Sequence, residues 1–521
     1  MRRVSILGLV LSCGAAVVVA SNEAAAPTRL APAGSRPNVI VIMTDDLDAK
    51  SLGRLVAAGL MPNLKNSVIS RGITFTNSFV SDSLCCPSRA TYLTGLYAHN
   101  HMVLSNYPPE GSVRAFDDTN TLATWLHDGG YRTASIGKYL NGYGRVDVNR
   151  DGVLDIKDKE YVPPGWDNWQ ALLDPTTYWM YSYTINDNGT LVSYGTSDQD
   201  YQTDVLASRA AAFIADTASA SPGVPFFLSI TPLAPHVEVG PNSVFDDWSD
   251  FFKASIRPAP RHIGTVPAPL QRPPSFNEAD VSGKPAWLQE RPLMTDSDIA
   301  ALQSKYENRL SAMRAVDDLI GTVVAALQQT GVFDQTAIIF TSDNGYMLGE
   351  HRLTEKLVAY EESLRVPLVI SAPGYPTNEA RRQLAVNTDL APTIAALAGV
   401  SPGLQVDGGS LLPLMGNGAL SGRKRFLVEH WPASKKPDFD VPEYFALRVA
   451  GTQLAANQLY VEYTDPGQAG EFYDMRIDPN QLVNLFTDTS SNRTYQRSVH
   501  TQFLAALKTC KNGSCQTIEF R

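Results

Sequence analysis

Short β-branched runs alternate with amphipathic helical patterns from residue 38 to about residue 400, and this limits the fold more than any other feature of the chain. "NVIVIMTDD" (38–46), "YRTASIGKY" (131–139), "PFFLSITPLAPH" (225–236), "TAIIFTSDNG" (336–345) and "VPLVISAPG" (366–374) read as buried strands. Between them, "NTLATWLHDGGY" (120–131), "TDVLASRAAAFIADTA" (203–218) and the stretch 297–330 read as helices. In the last of these, Leu302, Tyr306, Leu310, Met313, Val316 and Ile320 recur at helical spacing. Apolar strands alternating with helices predict an α/β fold, a largely parallel sheet sandwiched by helices.

Beyond about Leu414 the pattern changes. "KRFLVEHW", "YFALRVAG", "NQLYVEYTD" and "GEFYDMRID" read as short strands between turns, and "TYQRSVHTQFLAALKTC" as a helix. This predicts a smaller antiparallel α+β subdomain over 416–521, packed on a larger domain over 37–415. Residues 237–295 are rich in proline and aromatics and lack periodicity, which predicts a long surface insertion near the site.

The 521 residues include 43 Lys plus Arg against 53 Asp plus Glu, a formal net charge of -10. Without basic runs this argues against nucleic-acid binding, and an anionic substrate would need a local cluster of cations. Arg2 and Arg3 precede an apolar stretch that ends in small residues near Ala20, the pattern of a secretory signal peptide over 1–20. Cys13, after Leu11 and Ser12, offers a lipoprotein anchor as the weaker alternative. Residues 21–36 read as a flexible leader, and no later segment reads as a membrane span. The expected location is secreted or periplasmic, or lysosomal or extracellular in a eukaryote. Sequons at Asn188, Asn492 and Asn512 carry meaning only in a host that glycosylates.

Of five cysteines, Cys510 and Cys515 flank an Asn-Gly turn and are expected to form a short disulfide in an oxidising compartment. Cys85 and Cys86 are adjacent, and neighbouring cysteines rarely bridge each other.

Ligands of open parallel sheets gather at the carboxyl ends of strands. Two predicted strands end in oxygen-rich turns, Asp45 and Asp46 after the first and Asp343 and Asn344 after "AIIFTS". Either pair alone reads more readily as a turn or a helix cap. Together, three carboxylates and a carboxamide at one sheet edge call for a hard cation, Ca²⁺ ahead of Mg²⁺.

"SDSLCCPSRATYLTG" (81–95) puts Cys85 at the entry to a helix-like segment, where helix N-terminal amides favour developing negative charge. "C-x-P-S-R" followed by "T-x-L-T-G" closely resembles the signature of type I, formylglycine-dependent sulfatases. The resemblance extends over "MTDDLD", "GKY" (137–139), "PH" (235–236), "SDNGYMLGEH", "TEKLVAYEESLRVPLVI", "TDLAPTIAALAG" and "EFYDMRIDPNQLVNL". "TGLYAHNHMV" and "GKYLNGYG" are most similar to the N-acetylglucosamine-6-sulfatase and heparan endosulfatase branch.

The resemblance implies an alkaline-phosphatase-like fold and hydrolysis of sulfate esters, with a 6-O-sulfated N-acetylglucosamine-type carbohydrate as substrate. It implies that a formylglycine-generating or sulfatase-maturing enzyme converts Cys85 to formylglycine, that Cys86 fills a variable position, and that Arg89 braces the aldehyde hydrate. Asp45, Asp46, Asp343, Asn344 and the modified Cys85 would hold the cation, and Lys138 and Lys356 the sulfate oxygens. His236 is the expected general acid for a poor alkoxide leaving group. One hydroxyl of the hydrate attacks sulfur; the other can then lose its proton and expel sulfate, a route closed to plain serine or cysteine.

Leu140 stands where many sulfatases carry a histidine, in "GKYL" against "GKWH". Its role falls to His101, His99 or Asn141, with His351 and His430 as further substrate contacts. "DVNRDGVLDIKD" (147–158) predicts a second, structural calcium loop with Asp147, Asn149, Asp151, the Val153 carbonyl, Asp155 and Asp158 as ligands and Gly152 at the sharp turn. Asp158 departs from the usual glutamate, and the alternative is a solvated turn. The competing functions are a broad arylsulfatase, a phosphatase or phosphodiesterase on the same fold, and a non-catalytic carbohydrate-binding protein.

Overall fold

Strand β1 (Asn38–Thr44) is buried along its whole length because helices cover both of its faces. In this computed structural model, which describes residues 36–240, 248–266, 269–433, 441–450 and 457–520, β1 lies inside a sheet of ten strands. The others are β2 (Ile73–Phe79), β3 (Arg132–Gly137), β4 (Asn168–Leu172), β5 (Thr184–Asp187), β6 (Thr190–Ser193), β7 (Phe226–Thr231), β8 (Thr336–Ser342), β11 (Leu368–Ser371) and β12 (Glu379–Val386). A separate two-residue pair joins β9 (Met347–Leu348) to β10 (Thr354–Glu355). The expected signal peptide, Cys13 anchor and most of the leader lie outside the described residues.

The sheet order is β12-β2-β11-β8-β1-β7-β3-β4-β5-β6. From β8 to β4 every pairing is parallel, as expected. The sheet as a whole is mixed, because β11 pairs antiparallel with both neighbours and β5 and β6 add antiparallel strands beyond β4. β5 and β6 meet at Asn188 and Gly189, both with positive φ, the backbone that a tight hairpin requires.

Alternation along β1 divides the core. Ile40 and Ile42 pack with Leu206, Phe213, Tyr306 and Met313 of helices Gln202–Ala220 and Asp296–Gln329. Val39 and Val41 pack with Leu126 and Ile394 of helices Leu122–Asp128 and Leu390–Ala398, a layer that also holds helix Cys85–Thr94.

The C-terminal sheet is antiparallel, in the order β13 (Arg425–His430), β14 (Tyr444–Ala450), β15 (Asn457–Tyr463) and β16 (Glu471–Asp474). One face sets Phe426, Val428 and Val461 against Phe79, Leu357 and Tyr360. The other sets Leu427, Leu447 and Phe472 against Leu504 and Leu507 of helix Ser491–Leu507. Cys510 and Cys515 are joined beside that helix, with Cα atoms 5.1 Å apart.

Candidate active site

The register of β1 and β8 pairs Thr44 with Ser342, so the turns that follow bring Asp45 and Asp46 beside Asp343 and Asn344. Asp343 Oδ1 accepts the Asp46 N–H at 3.1 Å, and Asn344 Nδ2 donates to Asp46 Oδ1 at 2.6 Å. Asp46 has φ 65°, a left-handed backbone that costs a non-glycine residue about 1–2 kcal/mol. Such strain persists where surrounding contacts impose it. Here Arg309, from the long helix, donates to the main-chain carbonyls of Asp46 and Pro235.

Lys138 follows β3, whose last residue Gly137 has φ 119° and approaches β7 closely. A Cβ there would lie 2.3 Å from the Thr231 carbonyl oxygen, so only glycine permits this approach. Lys138 Nζ reaches Asp45 Oδ2 at 2.5 Å. His236, in the turn after β7, places Nε2 3.5 Å from Asp46 Oδ2.

Cys85 is the first residue of a ten-residue helix that is buried throughout and closed by Gly95 in the left-handed region. The residue before it, Leu84, offers no capping side chain. Cys85 Sγ lies 2.9 Å from Lys356 Nζ and 3.5 Å from Asp45 Oδ1. Cys86 points into the core, its N–H bonded to Asn106 Oδ1, and both thiols are free. Arg89, one turn on, donates from Nε to Asp343 Oδ2 at 2.8 Å and lies 3.4 Å from Asp45 Oδ2.

Three carboxylates, Asp45, Asp46 and Asp343, thus face three cations, Arg89, Lys138 and Lys356. Burial pushes the Asp45 carboxyl up, but Lys138, His236 and Arg89 outweigh it and hold it well below the usual carboxylate range. Asp46 is likewise lowered, burial opposing the charge of Lys356. Asp343 is raised, by burial and then by the Asp45 charge. Burial, followed by Asp45, also raises the Cys85 thiol.

Among the described residues, the group of acids, thiols and imidazoles with ligand atoms close enough to share an ion is Asp45, Asp46, Cys85 and His236, within 4.8 Å of one another. Asp46 Oδ2 and Asn344 Oδ1 are buried without a hydrogen-bond partner. Two buried oxygens without a hydrogen bond, the first facing His236 Nε2 at 3.5 Å, fit a hard cation that would offset their desolvation.

His236 and Lys356 connect the cluster to a cleft of about 590 Å³, lined also by Asn141, Arg145, Tyr178 and Asp174, among others. Val237, Val239 and Phe251, from the expected insertion, form part of its wall. Tyr178 was not singled out from the sequence. Its ring lies 4.9 Å from Lys138 Nζ and 5.2 Å from the His236 ring, and its hydroxyl accepts from Asn141 Nδ2. Arg309 was missed as well, although an arginine on the buried face of an otherwise apolar helix is a legible signal.

The structure brings Asn141 to the cleft, whereas the described contacts of the other expected histidines lie elsewhere. His99 bonds Glu429 and the Cys510 carbonyl, and Glu429 outweighs burial to raise it to about 9. His101 bonds Thr91 and the Val103 N–H, and burial lowers it to about 3. His351 bonds Glu278 and stacks on Tyr360, and His430 is buried beside Tyr444.

In the 147–158 loop several carboxylates satisfy nearby N–H groups, while Asp147 reaches Arg114 outside it and keeps a buried Oδ1 without a hydrogen-bond partner. Asp158 accepts the N–H groups of Val148, Asn149 and Asp155, and Asp155 caps the next turn. Asn149 and Asp151 accept N–H groups two residues ahead, and Val153 is exposed. These acids do not converge as the Asp45 cluster does.

The sulfatase family profile matches residues 37–400, and a profile described as N-sulphoglucosamine sulphohydrolase, C-terminal, matches residues 349–509. An N-acetylglucosamine-6-sulfatase of Homo sapiens is 32% identical over 92% of this chain and 86% of its own length. An arylsulfatase of Volvox carteri is 33% identical over 93% of this chain and 76% of its own. A solved structure in complex with its substrate D-glucosamine-2-N,6-O-disulfate superposes with a TM-score of 0.71 at 22% identity, covering 90% of this chain and 97% of that one. With a family match across most of the catalytic sheet and relatives above 30% identity over nearly its full length, the chain belongs to the sulfatase family and is a sulfuric ester hydrolase.

Proposed function

We propose that the protein hydrolyses the sulfate ester of a carbohydrate, a 6-O-sulfated N-acetylglucosamine unit, with Cys85 converted to formylglycine as nucleophile. The observation that carries this is the place of Cys85, at a buried helix N-terminus between Lys356 and Asp45, where Lys356 and His236 open onto a sugar-sized cleft. The hydrated aldehyde supplies a second hydroxyl, through which sulfate can be expelled without attack by water on sulfur.

The sulfatase family is metal-dependent, and Asp45, Asp46, Asp343 and Asn344, with the modified Cys85, would hold one divalent cation, Ca²⁺ by their all-oxygen chemistry. That cation would lower the pKa of the bound hydroxyl and offset sulfate charge. Lys138 and Lys356, now spent on Asp45 and Asp46, are at hand for sulfate oxygens. Arg89 anchors Asp343 and the helix start. His236 Nδ1 is held by the Val237 carbonyl at 2.6 Å, leaving Nε2 to protonate the departing sugar oxygen. In the same reading residues 1–20 export the chain, residues 416–521 form a separate subdomain, and a maturing enzyme modifies Cys85.

The human relative's name supports a sugar sulfate, and the Volvox relative's name supports an arylsulfatase as the second reading. Turnover of N-acetylglucosamine 6-sulfate and of 4-nitrophenyl sulfate by the same preparation separates them. Higher kcat/KM on the sugar is expected; the reverse order with no sugar turned over contradicts the carbohydrate assignment.

A further inference from the structure

The cleft wall formed by residues 141–146 carries two polar groups whose hydrogen-bonding capacity is left open among the described residues. Asn141 is buried and donates Nδ2 to the Tyr178 hydroxyl at 2.7 Å, which fixes the carboxamide, while its Oδ1 has no hydrogen-bond partner. Arg145 lines the same cleft, exposed, and among the described residues its guanidinium has no hydrogen bond or ion pair. The other lysine or arginine on this lining, Lys356, is bound to Asp46. The carboxylates on the lining are also engaged, Asp174 by the Gly142 N–H at 2.6 Å and Glu355 by the Tyr346 hydroxyl; burial raises the Asp174 carboxyl and outweighs the Arg145 charge that it feels.

The turn that presents Arg145 is rigid. The N–H groups of Arg145 and Val146 bond the Gly142 carbonyl, and the Asp174 N–H bonds the Tyr143 carbonyl. Gly144 has φ 78°, and a Cβ there would lie 2.4 Å from Leu173 Cδ2. A guanidinium without a hydrogen bond, on a fixed backbone and beside a fixed acceptor, is suited to a ligand bearing a second anion and a nearby hydrogen-bond donor.

We infer that Arg145 and Asn141 form a second anion subsite, distinct from the sulfate-reacting centre. The substrate then carries a further negative group, such as an N-sulfate on the same sugar or a carboxylate on a neighbouring uronate. Arg145 pairs with that group, and Asn141 Oδ1 accepts from a sugar hydroxyl or amide. The inference rests on the carbohydrate sulfatase reading and narrows its substrate class.

The test compares kcat/KM for three substrates: N-acetylglucosamine 6-sulfate, glucosamine-2-N,6-O-disulfate, and a disaccharide joining a uronate to 6-sulfated N-acetylglucosamine. Wild type is expected to prefer at least one doubly anionic substrate. Arg145→Ala should cut that preference roughly ten- to hundredfold, the range for a lost charged hydrogen bond, and Arg145→Lys should restore part of it. The substrate on which the loss falls identifies the second anion as N-sulfate or carboxylate. A preference ratio that stays within about twofold in Arg145→Ala overturns the subsite alone. Wild type that turns over an aryl sulfate but none of the three sugars overturns the carbohydrate reading and the subsite together.

Discussion

Lys356 Nζ sits 2.9 Å from Cys85 Sγ, and the same ammonium donates to Asp46 Oδ1. Burial disfavours its charge, but Asp46 and the neighbouring groups hold its pKa well above that of a free lysine. It is flanked by Glu355 and Leu357, both with positive φ, so the backbone is bent to deliver this one side chain. Lys356→Met should therefore lower kcat/KM by about 10²–10³-fold, the usual effect of removing one donor to transition-state charge. Loss below fivefold, measured on the preferred sugar sulfate, would remove Lys356 from sulfate stabilisation.

His236 is expected to matter in proportion to how poor the leaving group is. His236→Gln should slow a sugar sulfate by about 10²–10⁴-fold, the span typical of general acid catalysis, while 4-nitrophenyl sulfate loses far less. Equal losses on both substrates would show that His236 acts on something other than the departing oxygen.

Arg309 bridges the carbonyls of Asp46 and Pro235 and stacks 3.9 Å from the Tyr346 ring centroid. None of its described contacts is with Cys85, and its role is to hold Asp46 and the approach to His236. Arg309→Lys should not rescue it, because a single ammonium cannot reproduce the planar fork. A drop in kcat of about 10–100-fold with KM little changed is expected, as for partners that orient ligands. A rise in KM at constant kcat would contradict a positioning role.

Stability should fall as pH rises from about 5 to above 8. Burial, and then the charge of Glu362, push Glu350 up to about 8 from 4.5. The folded protein thus binds a proton that the unfolded chain releases, and stability is lost as pH climbs through the folded value. His99, raised to about 9 through Glu429, contributes in the same direction, its stabilisation full below about 6.5 and lost through 9. Melting temperatures at pH 5.5 and 8.5 should differ, and Glu350→Gln should narrow the difference. An unchanged pH dependence in that variant would mean that Glu350 ionises normally when folded.

The central strands, the paired carboxylates and the Cys85 turn were legible because each depends on local pattern: apolar runs, strand-end acids and a short signature. The mixed edges were not. β5 and β6 are four residues each, and their hairpin is announced by Asn188 and Gly189 inside a stretch without strong periodicity. Site residues that act through tertiary contacts were equally hidden. Tyr178 joins Lys138 and His236 only after β3 and β7 align, and Arg309 reaches Asp46 across the sheet edge. The 147–158 loop carries two signals at once. Its spacing suggests ligands, yet Asp155 and Asp158 cap a short helix by satisfying backbone N–H groups.

Turnover rests on the chemistry of Cys85, and mass spectrometry of the tryptic peptide containing "LCCPSR" from fully active enzyme tests it directly. One cysteine should be replaced by an aldehyde at position 85, with Cys86 intact, and Cys85→Ser should lose turnover. Two unmodified thiols in enzyme of full activity would contradict it.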